Sequence, residues 1–346
     1  MFWICCLLLV CQQAEAEKLP QEKYVAIADK QPIDNFAYRR FFVVDKLGRK
    51  VTFYLSKPDE PQSDTKLPLV VCIQGSGSQS VFLEVDTPNG KRIVSGGVEA
   101  VVSRNFKNRV RTLVVEKPGI TFLEQPKRPG SSEEGSAEFN RQFTLKNWTE
   151  AICASVKAAT QFDEIDSSKI LVIGHSEGGQ VACEVAAALP EVTHVAVMAG
   201  GGPTQLFDFI RMARDGTMFD PNATSEERVA ALLDGWKKVL ANPKAHDQFF
   251  WGHAHLRWRT FLKSSPIEAI LRCKAKVFIA QGSQDKNSLP AGAEAMYAEL
   301  LARGRPCEYR WIEGANHGFM TKDDKTGEGW KKTNSEAIDW FLNDGT

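Results

Sequence analysis

Ser176 stands in the stretch Gly174-His175-Ser176-Glu177-Gly178-Gly179, between an apolar run, Ile170–Ile173, and an Ala-rich helical pattern, Gln180–Leu189. A serine on a sharp strand-to-helix turn is a candidate nucleophile. The turn holds the serine at a strained backbone angle, and side chains at the flanking glycines would collide there. The helix that follows points its N-terminus at the serine oxygen, which favours developing negative charge. A serine hydroxyl needs a base to take its proton. The candidate base is His317, in Gly314-Ala315-Asn316-His317-Gly318-Phe319 after the last predicted strand. The base in turn needs a carboxylate to fix its tautomer. Asp285, in Gly282-Ser283-Gln284-Asp285 directly after the run Val277–Ala280, is the candidate acid. The plainer reading of Asp285 is a turn or cap aspartate, with Asp208 as the second candidate acid.

The other histidines compete poorly. His175 lies inside the turn and is expected to point away from the nucleophile, and His194 opens a strand. His246, His253 and His255 fall in a predicted helical insertion. His253 and His255 are two residues apart and do not share a helix face, so a metal site is not expected. The run Leu69–Ile73 ends in Gln74-Gly75-Ser76-Gly77-Ser78. Such a glycine-rich turn aims a backbone N–H at a developing oxyanion. The expected donors are the amides of Ser76, with Gly75 beside it, and of Glu177.

These residues need a frame. Phe41–Val44 and Val51–Leu55 flank the turn Lys46-Leu47-Gly48-Arg49 and predict an antiparallel hairpin. Leu69–Ile73, Thr112–Val115, Ile170–Ile173, Val195–Met198, Val277–Ala280 and Tyr309–Ile312 follow, several of them continuously apolar, as strands buried on both sheet faces are. Helical patterns alternate with them over Val94–Phe106, Thr144–Phe162, Gln180–Leu189, Ala293–Ala302 and Asn334–Leu342. The alternation predicts an α/β fold with a mostly parallel eight-stranded sheet and helices on both faces. The rhythm breaks once, over about 203–272. That stretch shows no strand pattern and carries Phe207, Phe209, Trp236, Phe249-Phe250-Trp251, Trp258 and Phe261. It predicts a helical cap over the site, facing a mainly apolar substrate.

The chain has 346 residues, 43% hydrophobic and 25% charged, with a net charge of +0. A balanced charge without a basic stripe gives no argument for nucleic acid or an anionic membrane. The apolar run Phe2–Val10, followed by Ala14-Glu15-Ala16, resembles a signal peptide over residues 1–16 that directs export to the periplasm or the medium, although no Lys or Arg precedes it. The run is too short to span a membrane, which takes about 20 apolar residues. Cys11 marks a weaker alternative, lipid anchoring. Five cysteines would remain in the mature chain, at 72, 153, 183, 273 and 307. They lack the spacing of a disulfide framework, and a Cys273–Cys307 bridge has no sequence support. Asn147 and Asn222 stand in glycosylation sequons.

Taken together, Gln74-Gly75-Ser76-Gly77, the Ser176 turn, Gly282-x-x-Asp285 and Asn316-His317-Gly318 resemble the α/β-hydrolase superfamily over about residues 40–343. Glu177 after the nucleophile is similar to bacterial esterases of the dienelactone-hydrolase-like and prolyl-oligopeptidase-like branches. The chain departs from many relatives in having Gln74 where they have histidine. The resemblance implies acyl-bond hydrolysis through Ser176, His317 and Asp285 on a small-molecule ester, without metal or organic cofactor. Only about 25 residues separate the leader from the first predicted strand, which leaves no room for the large gating domain of oligopeptidases. A carboxylesterase is therefore expected ahead of a thioesterase, lactonase or small peptidase. Transfer of the acyl group to an alcohol uses the same residues. A non-catalytic binding protein on the same fold is the alternative of a different class, and it usually lacks one of these residues.

Overall fold

The structure is a computed structural model and describes residues 24–30, 36–57, 65–88, 90–128 and 131–344. The expected leader, its cleavage site and Cys11 lie outside the described residues. The first part of the chain forms β1 (Ile27–Ala28), β2 (Tyr38–Val44), β3 (Lys50–Ser56), β4 (Leu67–Ile73), β5 (Leu83–Thr87), β6 (Gly90–Val94), α1 (Val98–Asn105) and β7 (Arg111–Val115). Next come α2 (Ala137–Gln142), α3 (Leu145–Ala159), β8 (Ile165–His175), α4 (Glu177–Ala188) and β9 (His194–Met198). After β9 the chain runs through α5 (Leu206–Asp215), α6 (Ser225–Ala241), β10 (Phe249–Phe250), β11 (His253–Ala254), α7 (His255–Phe261) and α8 (Pro266–Arg272). It closes with β12 (Lys276–Gly282), α9 (Pro290–Ala302), β13 (Cys307–Ile312) and α10 (Glu328–Asn343).

One sheet organises the molecule, in the order β1-β2-β3-β7-β4-β8-β9-β12-β13. The first three strands are antiparallel, as is the β3–β7 pairing; from β7 to β13 every pairing is parallel. The expected count of eight strands is corrected to nine. The added strand, β1, has two exposed residues and pairs Ile27 with Phe42 and Ala28 with Phe41 at the sheet edge. Two residues carry no periodicity to read. The central strands are buried throughout: β7, β9 and the end of β8 have no exposed position, which is why their sequences are continuously apolar.

Two apolar layers cover the sheet. On one face, Trp148 and Ile152 of α3, Val181 and Val185 of α4, and Met296 of α9 pack on Leu69, Val172 and Val277. On the other face, Val102 of α1 and Ile338 and Phe341 of α10 pack on Val70, Ile173 and Phe278. Four helix starts differ from expectation, the last two being α9 at Pro290 and α10 at Glu328. The first, α1, begins at Val98, because Val94 closes the small hairpin β5–β6 and Gly97 caps the helix. The second, α4, begins at Glu177, directly after Ser176. No helix among the described residues is long and apolar enough to cross a membrane.

Between β9 and β12 lie four helices and the hairpin β10–β11, where no strand was expected. This segment has its own apolar cluster, including Phe209, Met212, Leu232 and Trp258. The body holds it at the hairpin turn, where the Ser132 amide donates to Gly252 O (2.6 Å) and the Ser131 hydroxyl to the same oxygen (3.1 Å). All five cysteines of the described chain are free thiols; Cys273 and Cys307 form no bridge.

Candidate active site

Residues that the sequence keeps far apart meet at the carboxyl ends of β4, β8 and β12. β8 delivers Ser176, which adopts φ 58 and ψ −128 and caps α4. A non-glycine residue in this region is strained, and tertiary contacts must hold it there. The Ser176 amide donates to Met198 O on β9 (2.9 Å), and its carbonyl accepts from the Gly179 amide (2.8 Å). The turn is tight enough that only glycine fits at its corners. A Cβ on Gly174 would lie 2.0 Å from Gly178 O, and one on Gly178 would lie 2.5 Å from Ile73 O. Both are impossible approaches, and the second brings the end of β4 against the start of α4.

β12 delivers Asp285, whose carboxylate is buried. Its Oδ1 accepts from the amides of Asn287 (2.8 Å) and Ser288 (3.0 Å), and Oδ2 accepts from Gln281 Nε2 (3.1 Å). The remaining donor is His317, whose Nδ1 donates to Oδ2 at 2.8 Å. A carboxylate only accepts, so the imidazole carries its proton on Nδ1 and leaves Nε2 free to act as a base. Asp208 makes no hydrogen bond to His317 among the described residues. The Ser176 hydroxyl has no hydrogen-bond partner among the described residues, so the serine and the histidine are not joined at hydrogen-bond distance.

His175 makes no hydrogen bond to the Ser176 side chain among the described residues and instead reaches the His317 loop. Its Nε2 donates to His317 O (2.8 Å), and its ring lies edge-on to Trp330 with centroids 4.8 Å apart. Burial, with His317 close by, lowers its pKa to about 4, so it is a neutral prop beneath the His317 loop. His194 joins Asp344 at the far end of β9, and His253 faces the Ser132 hydroxyl (3.3 Å). No group of metal-ligating side chains occurs among the described residues.

The glycine-rich loop after β4 lies against Ser176: a Cβ on Gly75 would sit 3.4 Å from Ser176 Cβ. Below the loop is a residue that the sequence pattern does not reveal. Lys117 follows β7, is fully buried, and donates from Nζ to Gly75 O and to Gly77 O, each at 2.7 Å. The lysine thereby fixes the Gly75–Ser76 peptide, which carries the Ser76 amide, and the Gly77–Ser78 peptide. Its ammonium also lies 5.1 Å from the Trp148 ring and 5.6 Å from the Phe143 ring. Burial, with the nearby Arg257 charge, lowers its pKa to about 7, while Glu116 acts the other way.

Glu177 is also held from outside its own element. Its buried carboxylate pairs with Arg257 of α7, itself buried. The guanidinium lies 3.8 Å from the Trp258 ring centroid and 4.7 Å from that of Phe261. Burial lowers the Arg257 pKa to about 9. Two cations, Lys117 and Arg257, thus hold the two peptide segments beside Ser176.

Lys117→Met keeps the side-chain volume but leaves Gly75 O and Gly77 O without their donor. If this loop supplies an oxyanion amide, kcat on a good ester should fall by about 10²-fold, the scale of losing one such donor, with little change in KM. A variant that melts earlier yet keeps kcat would reduce Lys117 to a structural role.

The sequence profile of the Alpha/beta hydrolase family matches residues 102–326, well over half of the chain. No curated protein sequence matches it. Three solved structures illustrate the likeness in fold. A puromycin-hydrolyzing peptidase from Mycobacterium tuberculosis superimposes with a TM-score of 0.59 at 17% identity, over 90% of this chain and 40% of that one. This chain therefore spans less than half the peptidase's length. Est1E from Butyrivibrio proteoclasticus, with ferulic acid bound, gives 0.55 at 18% identity over 87% of this chain and 98% of its own. An acetyl xylan esterase from Paenibacillus sp. R4 gives 0.57 at 15% identity over 93% and 89%.

Proposed function

The chain belongs to the alpha/beta hydrolase family, and from that premise we propose that it is a serine hydrolase of carboxylic esters. The observation that carries the reading is the 2.8 Å bond from His317 Nδ1 to buried Asp285, beside Ser176 on its strained turn. In the proposed reaction Ser176 Oγ attacks the acyl carbon while His317 Nε2 takes its proton. The Asp285 carboxylate stabilises the resulting imidazolium. The amides of Glu177 and of Ser76, with Gly75 beside it, hold the tetrahedral oxyanion. His317 then gives its proton to the departing alcohol. A water, deprotonated by the same imidazole, hydrolyses the acyl-serine and restores the hydroxyl.

The likeness to two esterases over nearly their whole length supports ester bonds as the substrate class. A second reading, hydrolysis of small peptides or amides, is favoured by the likeness to the puromycin-hydrolyzing peptidase. A fluorophosphonate followed by peptide mass mapping tests the serine assignment. The adduct is expected on the Ser176 peptide, and an unlabelled protein or a label elsewhere overturns it. Phenyl esters of rising chain length, assayed beside aminoacyl arylamides, separate the two substrate classes.

Two further assignments belong to this reading. The segment from α5 to α8 serves as the cap over Ser176, supported by the ion pair of its Arg257 with Glu177. Residues 1–16 serve as an export leader, supported by the apolar run and Ala14-Glu15-Ala16. Expressed with its leader in a secreting host, the protein should be recovered outside the cytoplasm with an intact mass that begins at Glu17. Retention of Met1 in the exported fraction contradicts the cleavage.

A further inference from the structure

A cavity of about 20 Å³ borders Ser176 and is walled by Gln205, Asp208, Gly201 and Ser288 among others. That volume holds one water-sized group. Three side chains in the wall hold buried oxygens without a hydrogen-bond partner among the described residues, and Glu177, ion-paired with Arg257, leaves Asp208 and Gln205 as the two without a partner of any kind. Asp208 is only 9% exposed, and its Oδ1 has no hydrogen-bond partner among the described residues. The Oε1 of Gln205, one turn earlier at the start of α5, is likewise buried without a partner. Buried acceptors without donors are costly, and folded proteins leave few of them without a reason.

Both unsatisfied atoms are acceptors, so the missing group is a donor. Electrostatics narrow the choice further. Burial, then the nearby Asp285 carboxylate, raise the Asp208 pKa to about 7, and Arg211 opposes them only in part. The carboxylate of Glu177, on the cavity wall too, is already paired with Arg257. A hydroxyl brings one hydrogen and no charge. A primary ammonium has the volume of a water, brings three hydrogens, and relieves the repulsion between the two aspartates.

We propose that this cavity is a subsite for a primary ammonium group carried next to the scissile carbonyl, which makes aminoacyl esters or amides the preferred substrates. The assignment rests on the serine-hydrolase reading above. It assigns Asp208 the role of specificity carboxylate instead of spare triad acid.

The test compares the phenyl esters of alanine and of isobutyric acid, which differ only by ammonium against methyl. Each kcat/KM is divided by the ester's own hydroxide rate constant, to remove the activating effect of the amine. The wild-type protein should favour the alanine ester by about 10-fold or more near neutral pH. In Asp208→Asn that ratio should collapse towards one, and in Gln205→Leu it should fall by about 3-fold or more. The wild-type ratio and Gln205→Leu decide the matter if Asp208→Asn does not fold. A wild-type ratio near one, with Ser176 still labelled by the fluorophosphonate, overturns the subsite and leaves the hydrolase reading standing. So does a ratio that neither variant changes. A protein whose Ser176 is not labelled overturns the hydrolase reading, and the subsite with it.

Discussion

Ser176→Ala should lower kcat on any ester the protein cleaves by about 10⁵-fold, because in the proposed reaction it removes the atom that forms the acyl intermediate. The residual rate would come from the oxyanion amides and substrate binding alone. The same position carries a stability expectation of opposite sign. Ser176 sits at φ 58, where a side chain is strained and glycine is not. Ser176→Gly should therefore be as inactive as the alanine variant, yet stabler than it by about 1 kcal/mol, read as a higher Tm. Strain at the nucleophile is then a cost in stability that function requires. Turnover within 10-fold of wild type in either variant would remove Ser176 from the mechanism.

Asp285→Asn comes next in size, with an expected loss of about 10⁴-fold in kcat. The reason lies in the tautomer. Asp285 Oδ2 accepts the Nδ1 proton of His317, while the Gln281 amide and two backbone amides hold the carboxylate in place. An asparagine can present its NH₂ to Nδ1, which drives the ring proton to Nε2 and leaves no base facing Ser176. Because the shape is retained, the variant should still fold. Raising the pH should not restore it, since the lost group is an acceptor and not a titrating acid. An Asp285→Asn protein that keeps more than about a tenth of wild-type kcat would mean that another group orients His317.

Much of this site is legible in the amino-acid sequence. The strands that lead to Ser176 and Asp285 lie inside the parallel part of the sheet, between other strands and buried on both faces, so they read as unbroken apolar runs. The turns that follow them must be tight, so they read as glycine. The hidden parts are defined by pairing across long stretches of sequence. Lys117 looks like a solvated lysine after a strand; its partners, Gly75 O and Gly77 O, are carbonyls with no side-chain signature. Arg257 is one of several cations in a helical segment, and only the fold shows that Glu177 is its partner. The place of His175 in the turn does not reveal its partner, the backbone of a loop 142 residues distant. The edge strand β1 is two residues long and below what any periodicity can reveal.

The Arg257–Glu177 pair limits how this molecule can be re-engineered. Caps of hydrolases invite swapping, since an insertion between two strands has nearby ends. Here a graft that discards α7 removes the charge partner of a buried carboxylate. An unpaired charge in that position destabilises by about 3–5 kcal/mol. It also places a negative charge beside the very amide proposed to receive one. Such a chimera is expected to disturb the turn at Ser176, unless position 177 were neutralised in the same step. The segment from α5 to α8 is thus a separable piece of the gene but an inseparable piece of the site.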